Sequence, residues 1–169
     1  MKSTFNLLIA LIIAVSTSCS SKKSSDAPEN VNNANYLTMK INGKVWRADN
    51  GIFGAFHPNG YNNAIIMSGN LGQGATQQAF TINIYNTTGP ATYTFANMPN
   101  GVDRNVAQLG GVSAQNYLYG GLTGIYNMIV TVRKATKTPS VVEATFEGTL
   151  TGVKGDVLTI TEGKFYYQE

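Results

Sequence analysis

Asn42-Gly43 constrains this chain more than any other pair, because it stands between two alternating runs, Leu37-Thr38-Met39-Lys40-Ile41 and Lys44-Val45-Trp46-Arg47-Ala48. A two-residue type I′ turn needs φ > 0 at both central positions, which Asn-Gly supplies at least cost. The turn also sets the register. Ile41 falls opposite Lys44, Met39 opposite Trp46 and Leu37 opposite Ala48, all on one face, leaving Thr38, Lys40, Val45 and Arg47 on the other. One face is then almost wholly apolar and the other mostly polar, as a half-buried antiparallel sheet requires.

The same period-2 signal recurs along the chain. Ile52 to His57, Ala64 to Met67, Phe80 to Tyr85 and Thr92 to Phe95 read as strands divided by Pro58-Asn59-Gly60, Ser68-Gly69-Asn70 and Thr87-Thr88-Gly89-Pro90. Phe80, Ile82, Ile84, Tyr93 and Phe95 take the inner face. Residues 71–78 read as a loop, and 97–124 as the least regular part, with short strands at Val106–Leu109 and Tyr117–Tyr119. Tyr126 to Arg133, Val141 to Leu150, Val157 to Thr161 and Lys164 to Tyr167 complete the set. Leu158 and Ile160 have the opposite parity to Phe165, so either a bulge at Gly163 reverses the faces or the strand is buried on both sides. The expected fold is all-β: a single antiparallel β-sandwich or partly open barrel of about nine to ten strands, with little helix.

Composition agrees with this. Only 12% of residues are charged, and the 18 glycines suit many turns rather than a helical bundle. A domain of this size buries roughly two-thirds of its unfolded surface and needs no metal or disulfide to stand alone. The formal charge of +3 comes from scattered residues, not from the basic stripe of a nucleic-acid binder.

The first 35 residues do not belong to that domain. Lys2 precedes an apolar run, Phe5 to Val15, too short to span a bilayer, and the small residues Ser16-Thr17-Ser18 follow. Charged start, apolar middle and small-residue exit are the anatomy of a secretory signal peptide, here residues 1–18. Cys19, the chain's single cysteine, comes next. Its position resembles the bacterial lipoprotein processing site, although Ser16 stands where Leu is usual. The resemblance implies cleavage before Cys19 and a diacylglyceryl group on its sulfur, with Ser20 favouring the outer membrane. Two or more acyl chains hold a protein stably on a membrane it does not span. Residues 20–35 have no apolar period and read as a flexible tether with a reach of about 20–25 Å. The β-domain is expected over 36–169.

Three stretches, Lys40 to Ala48, Gly89-Pro90-Ala91-Thr92-Tyr93 and Ile160 to Phe165, resemble landmarks of a domain-of-unknown-function family of small secreted Bacteroidota lipoproteins. The resemblance covers roughly 37–166. It implies an all-β envelope domain and carries over no catalytic residue.

Chemistry is scarce. His57 is the single histidine, and its place before Pro58 reads as a turn residue. No Ser, His and acid stand in a recognisable hydrolytic arrangement, and no phosphate-binding glycine pattern occurs. Glu143 and Glu147 lie about 13 Å apart along a strand at roughly 3.3 Å per residue, beyond the ~5–9.5 Å of glycosidase carboxyl pairs. Asp103-Arg104 reads as a local pair, and Asn86-Thr87-Thr88 is a sequon by pattern alone. Neither a metal site nor a cofactor is expected. The candidates for recognition are aromatic: Tyr117 and Tyr119, read as sharing one side of a glycine-flanked segment, with Tyr61 in the Pro-Asn-Gly-Tyr loop. Tyrosines offer flat faces with a polar handle, suited to sugar rings or peptides. The reading is thus of a lipid-anchored outer-membrane protein, not an enzyme, that binds a glycan or an envelope protein. The alternative is a structural or assembly lipoprotein of a larger outer-membrane complex.

Overall fold

A computed structural model describes residues 34–57, 63–96, 105–115, 117–122 and 124–169. Asn32–Glu169 is one compact unit. The signal peptide, Cys19, most of the tether, Tyr61 and Asp103-Arg104 lie outside the described residues.

Among the described residues eleven strands stand where nine or ten were expected: β1 (Tyr36–Ile41), β2 (Lys44–Arg47), β3 (Asn50–Phe56), β4 (Ile65–Leu71), β5 (Gln78–Ile84), β6 (Thr92–Ala96), β7 (Val106–Gly110), β8 (Leu118–Gly120), β9 (Tyr126–Thr136), β10 (Val141–Thr151) and β11 (Val157–Gln168). A 3-10 turn, Gly74–Thr76, lies between β4 and β5. They form two antiparallel sheets, β2-β1-β11-β10-β9-β6 and β3-β4-β5-β7-β8, packed as an open sandwich rather than a closed barrel.

The opening hairpin forms as its sequence requires. Asn42 and Gly43 take φ of 49° and 78°, Met39 faces Trp46 and Ile41 faces Lys44. The Ala48 N–H donates to the Leu37 carbonyl at 2.9 Å. Leu37, Met39, Trp46 and Ala48 are all buried. Across the core, Phe80 of β5 stacks on Phe146 of β10 with centroids 5.3 Å apart and rings 21° from parallel. Trp46 tilts against the same Phe80 and donates its Nε1–H to Gln78 Oε1 at 2.7 Å, so its one polar atom is satisfied.

Two readings needed the tertiary structure. The parity conflict in β11 resolves as a bulge: Phe146 pairs with Gly163 and Gly148 with Ile160, so β11 carries one residue more than β10 between these pairs. The left-handed residue is Glu162, φ 53°, one position before the glycine. Leu158, Ile160, Gly163 and Phe165 then all face inward. Second, the strand expected to stop at Ser68-Gly69-Asn70 continues to Leu71. Gly69 is there for space: a Cβ on it would stand 2.9 Å from Ala48 Cβ and 3.0 Å from Leu37 Cδ2. The sequence read that glycine as a breaker, but it lets the two sheets approach.

Candidate functional site

Among the described residues, aromatic and polar side chains meet where β3 passes the far end of β9, β10 and β11. Gly54 makes the approach close, since a Cβ on it would stand 2.7 Å from Tyr167 Cβ and 2.8 Å from Phe165 Cε1. Ser140, at the end of the β9–β10 turn, donates its hydroxyl proton to the Gly54 carbonyl at 3.1 Å. The Glu169 N–H in turn donates to the Ser140 carbonyl at 3.0 Å. The result is an open hollow of about 250 Å³. Phe53, Phe56 and Tyr167 give it aromatic walls, and His57, Lys137, Ser140 and Glu169 supply polar groups.

Phe53 leans over Tyr167 with centroids 5.7 Å apart and rings at 57°, yet remains 44% exposed. The reason is parity: Ile52, Gly54 and Phe56 face the core, so Phe53 takes the other face of β3, the edge strand of its sheet.

His57 holds the strand's exit. It takes φ of 53°, its N–H donates to the Ala64 carbonyl at 2.7 Å, and its Nδ1 accepts the Asn63 N–H at 2.8 Å. Because Nδ1 is an acceptor, the neutral ring carries its proton on Nε2. Its local role is therefore the turn role read from sequence, but the turn sets it at the hollow's edge.

Ser140, His57 and Glu169 are the residue types of a hydrolytic triad, and their bonding runs the wrong way for one. A triad histidine donates from one nitrogen to the acid and accepts the nucleophile's proton at the other. Here Nδ1 already accepts a backbone N–H, and the Ser140 proton is given to a carbonyl oxygen. Among the described residues no group of three or more His, Cys, Asp or Glu is placed to hold a metal ion.

Of the tyrosines expected to recognise a ligand, Tyr117 and Tyr119 are among the described residues. Tyr117 is 71% exposed and Tyr119 only 5%, so of these two only Tyr117 stands open to a ligand. The Gly111 N–H donates to the Tyr117 carbonyl at 2.7 Å, continuing the β7–β8 register one residue before β8 begins. Tyr119 bridges to Gly152 and packs into the core. Tyr61, the third member, is outside the described residues. Phe53, Lys137, Ser140, Tyr167 and Glu169 were missed by the sequence reading. The available signal was Phe53 beside a buried-parity glycine, but the other four are scattered over thirty residues and meet only through the sheet.

A second, flatter depression of about 300 Å³ lies on the outer face of β9, β10 and β11. Asn127, Glu147, Thr149 and Thr159 surround Ile129 there. It has no aromatic wall. The Glu147 side chain is exposed and Glu143 half-buried, on the outer face of β10 where the alternation placed them. Asn86 is exposed and takes φ of 54°. Thr87 beside it is buried, its Oγ1 bonded to the Tyr93 hydroxyl and accepting the Gly89 N–H at 3.1 Å.

Comparison of the chain with protein-family models, with curated proteins and with solved structures returns no match. The class that fold and site define is an open β-sandwich carrying an aromatic-walled hollow beside an edge strand.

Proposed function

We propose that this chain is a lipoprotein of the bacterial outer membrane, anchored through Cys19, whose β-sandwich is a non-enzymatic binding or accessory module for a glycan or a protein partner. The observation that carries the binding half is Phe53, a large aromatic left 44% exposed above Tyr167 on the wall of a polar-rimmed hollow. Binding sites combine apolar walls with a few placed polar groups in this way. The non-enzymatic half draws support from the committed Ser140 proton and the accepting Nδ1 of His57.

The anchoring half rests on the sequence of residues 1–19 and on the resemblance to secreted Bacteroidota lipoproteins. The chain enters the sandwich beside the hollow, since Asn35 Oδ1 accepts the Gln168 N–H at 2.8 Å. A tether running from Asn35 to a membrane therefore starts at the same end as the hollow.

The test is direct. Globomycin treatment accumulates the uncleaved precursor, and Cys19→Ala releases the protein from membranes. Unchanged processing and unchanged membrane retention in both would remove the lipoprotein reading. Turnover of any envelope substrate that is lost in His57→Ala would replace the non-enzymatic one.

A second reading, an assembly lipoprotein of a larger complex, is favoured by exposed aliphatic residues at the other end. Leu122, Ile125, Val153 and Val157 stand between 52% and 73% exposed. The Tyr119–Gly152 bridge and the Thr151 N–H bond to the Ile125 carbonyl hold their segments side by side. Crosslinking in intact membranes followed by purification recovers one specific envelope protein if that reading holds, and Val153→Asp abolishes the crosslink.

A further inference from the structure

The hollow between β3 and the β9–β10 turn has a chemistry that narrows its ligand. We infer that it receives one neutral pyranose unit of a glycan chain, seated on Phe53; this rests on the binding-module reading above and deepens it.

Three observations converge. The first is the ring. Phe53 stands on an edge strand, 44% exposed and backed by Tyr167 at 5.7 Å. The face of an aromatic ring is electron-rich, and the polarised C–H groups on one side of a pyranose meet it favourably, while the ring also removes apolar sugar surface from water.

The second is the balance of polar groups. Lys137 brings ammonium donors and Glu169 carboxylate acceptors, so the rim carries charge of both signs. The Ser140 hydroxyl donates to the Gly54 carbonyl and keeps its lone pairs for a ligand, and His57, whose Nδ1 already accepts, offers an N–H on Nε2. A sugar hydroxyl both donates and accepts, so it is matched by such a mixture. A phosphate or uronate would meet the Glu169 carboxylate, and a cationic ligand would meet Lys137. Neither gains the matched single-sign surround that charged ligands use.

The third is size and shape. About 250 Å³ falls below the ~300–1,000 Å³ of pockets that enclose a drug-sized molecule, and the hollow is open to solvent. Such a site holds one ring and lets the rest of the chain run out on both sides.

The experiment uses the full-length protein in a detergent without a sugar headgroup. An array of neutral and uronate-containing oligosaccharides is screened, and the best ligand is titrated calorimetrically against wild type, Phe53→Ala, Phe53→Tyr and Lys137→Ala. The expected result is a neutral glycan bound by wild type, weakened about tenfold or more by Phe53→Ala, which corresponds to about 1.4 kcal/mol. Phe53→Tyr keeps the ring face and retains binding, and Lys137→Ala weakens it by a smaller factor. Trp46 fluorescence melting checks that each variant is folded. Neutral-glycan binding untouched by Phe53→Ala overturns the site while leaving the binding module intact at another surface. Tighter binding of uronate chains overturns the ligand class. Absence of any glycan binding overturns the inference, and the membrane crosslinking experiment then decides whether the binding reading itself survives through a protein partner.

Discussion

Asn42 is bonded twice to Thr159. Its backbone N–H donates to the Thr159 carbonyl at 2.9 Å, and its side-chain Oδ1 accepts the Thr159 N–H at 2.8 Å. The turn residue that sets the β1–β2 register thereby also clamps the hairpin to β11, the chain's last strand. Local turn chemistry and long-range pairing rest on one side chain.

Separating those two roles is the first prediction. Asn42→Gly keeps the positive φ and loses the side-chain acceptor, at a cost of about 0.5–1.5 kcal/mol. Asn42→Ala loses the acceptor and adds the left-handed penalty of a Cβ, roughly 1–2 kcal/mol more. Urea midpoints should fall in the order wild type, Gly, Ala. Ala as stable as Gly would mean that the left-handed turn is not what the Asn preserves.

Gly163 is required by its neighbour. A Cβ there would penetrate both the Phe146 ring and the Phe146 carbonyl oxygen. Gly163→Ala is therefore expected to lose at least the ~1–3 kcal/mol typical of overpacking. Phe146→Leu in the same chain does not restore it, because the backbone oxygen stays in place. Full rescue by that second substitution, read by thermal melting, would show the ring alone to be the obstacle.

Glu162 separates charge from conformation. Its Oε1 lies 2.7 Å from Lys40 Nζ, with the two side chains 62% and 37% exposed, and exposed pairs of this kind contribute about 0–1 kcal/mol. Its φ of 53° makes it the left-handed residue of the β11 bulge. Glu162→Gly and Glu162→Ala both delete the ion pair, so the Gly variant should be the more stable by roughly 1 kcal/mol. Equal denaturation midpoints would put the bulge's strain elsewhere.

Alkaline pH should loosen the end of the sandwich where the chain enters. The Tyr36 hydroxyl is pushed above its ordinary value of 10.0, first by burial, then by the Glu143 carboxylate and by Tyr166, with Arg133 opposing. A phenol whose folded pKa is raised binds its proton more tightly folded than unfolded. Its contribution is thus complete below about pH 10 and is lost as pH rises from the unfolded value through the folded one. Urea midpoints measured from pH 8 upward should decline near and above pH 10, and less steeply in Tyr36→Phe. Glu143→Gln should also flatten the decline. An identical slope in all three would assign the alkaline loss to other groups.

How much was legible follows from which interactions are local. Period-2 alternation placed Phe80, Ile82, Ile84, Val142, Ala144 and Phe146 on buried faces, and all are buried. It misled where packing across the fold decides. Tyr117 and Tyr119 looked equivalent at i and i+2, but the core covers Tyr119 and leaves Tyr117, one residue before β8, exposed. Gly69 looked like a stop because a glycine's value as empty space depends on Leu37 and Ala48, thirty-two and twenty-one positions away. The hollow was invisible for the same reason: Phe53, Ser140 and Tyr167 are neighbours only after two sheets have packed.

By itself the sequence determined most of the strands, most of their inward faces and the register of the first hairpin, since each depends on side chains two positions apart and on turn residues with restricted φ. Only the tertiary structure decided which sheet each strand joins, where β11 bulges and which polar groups converge beside Phe53. Those outcomes depend on how closely β3 approaches Tyr167 and Ser140, a distance between segments that no local pattern encodes.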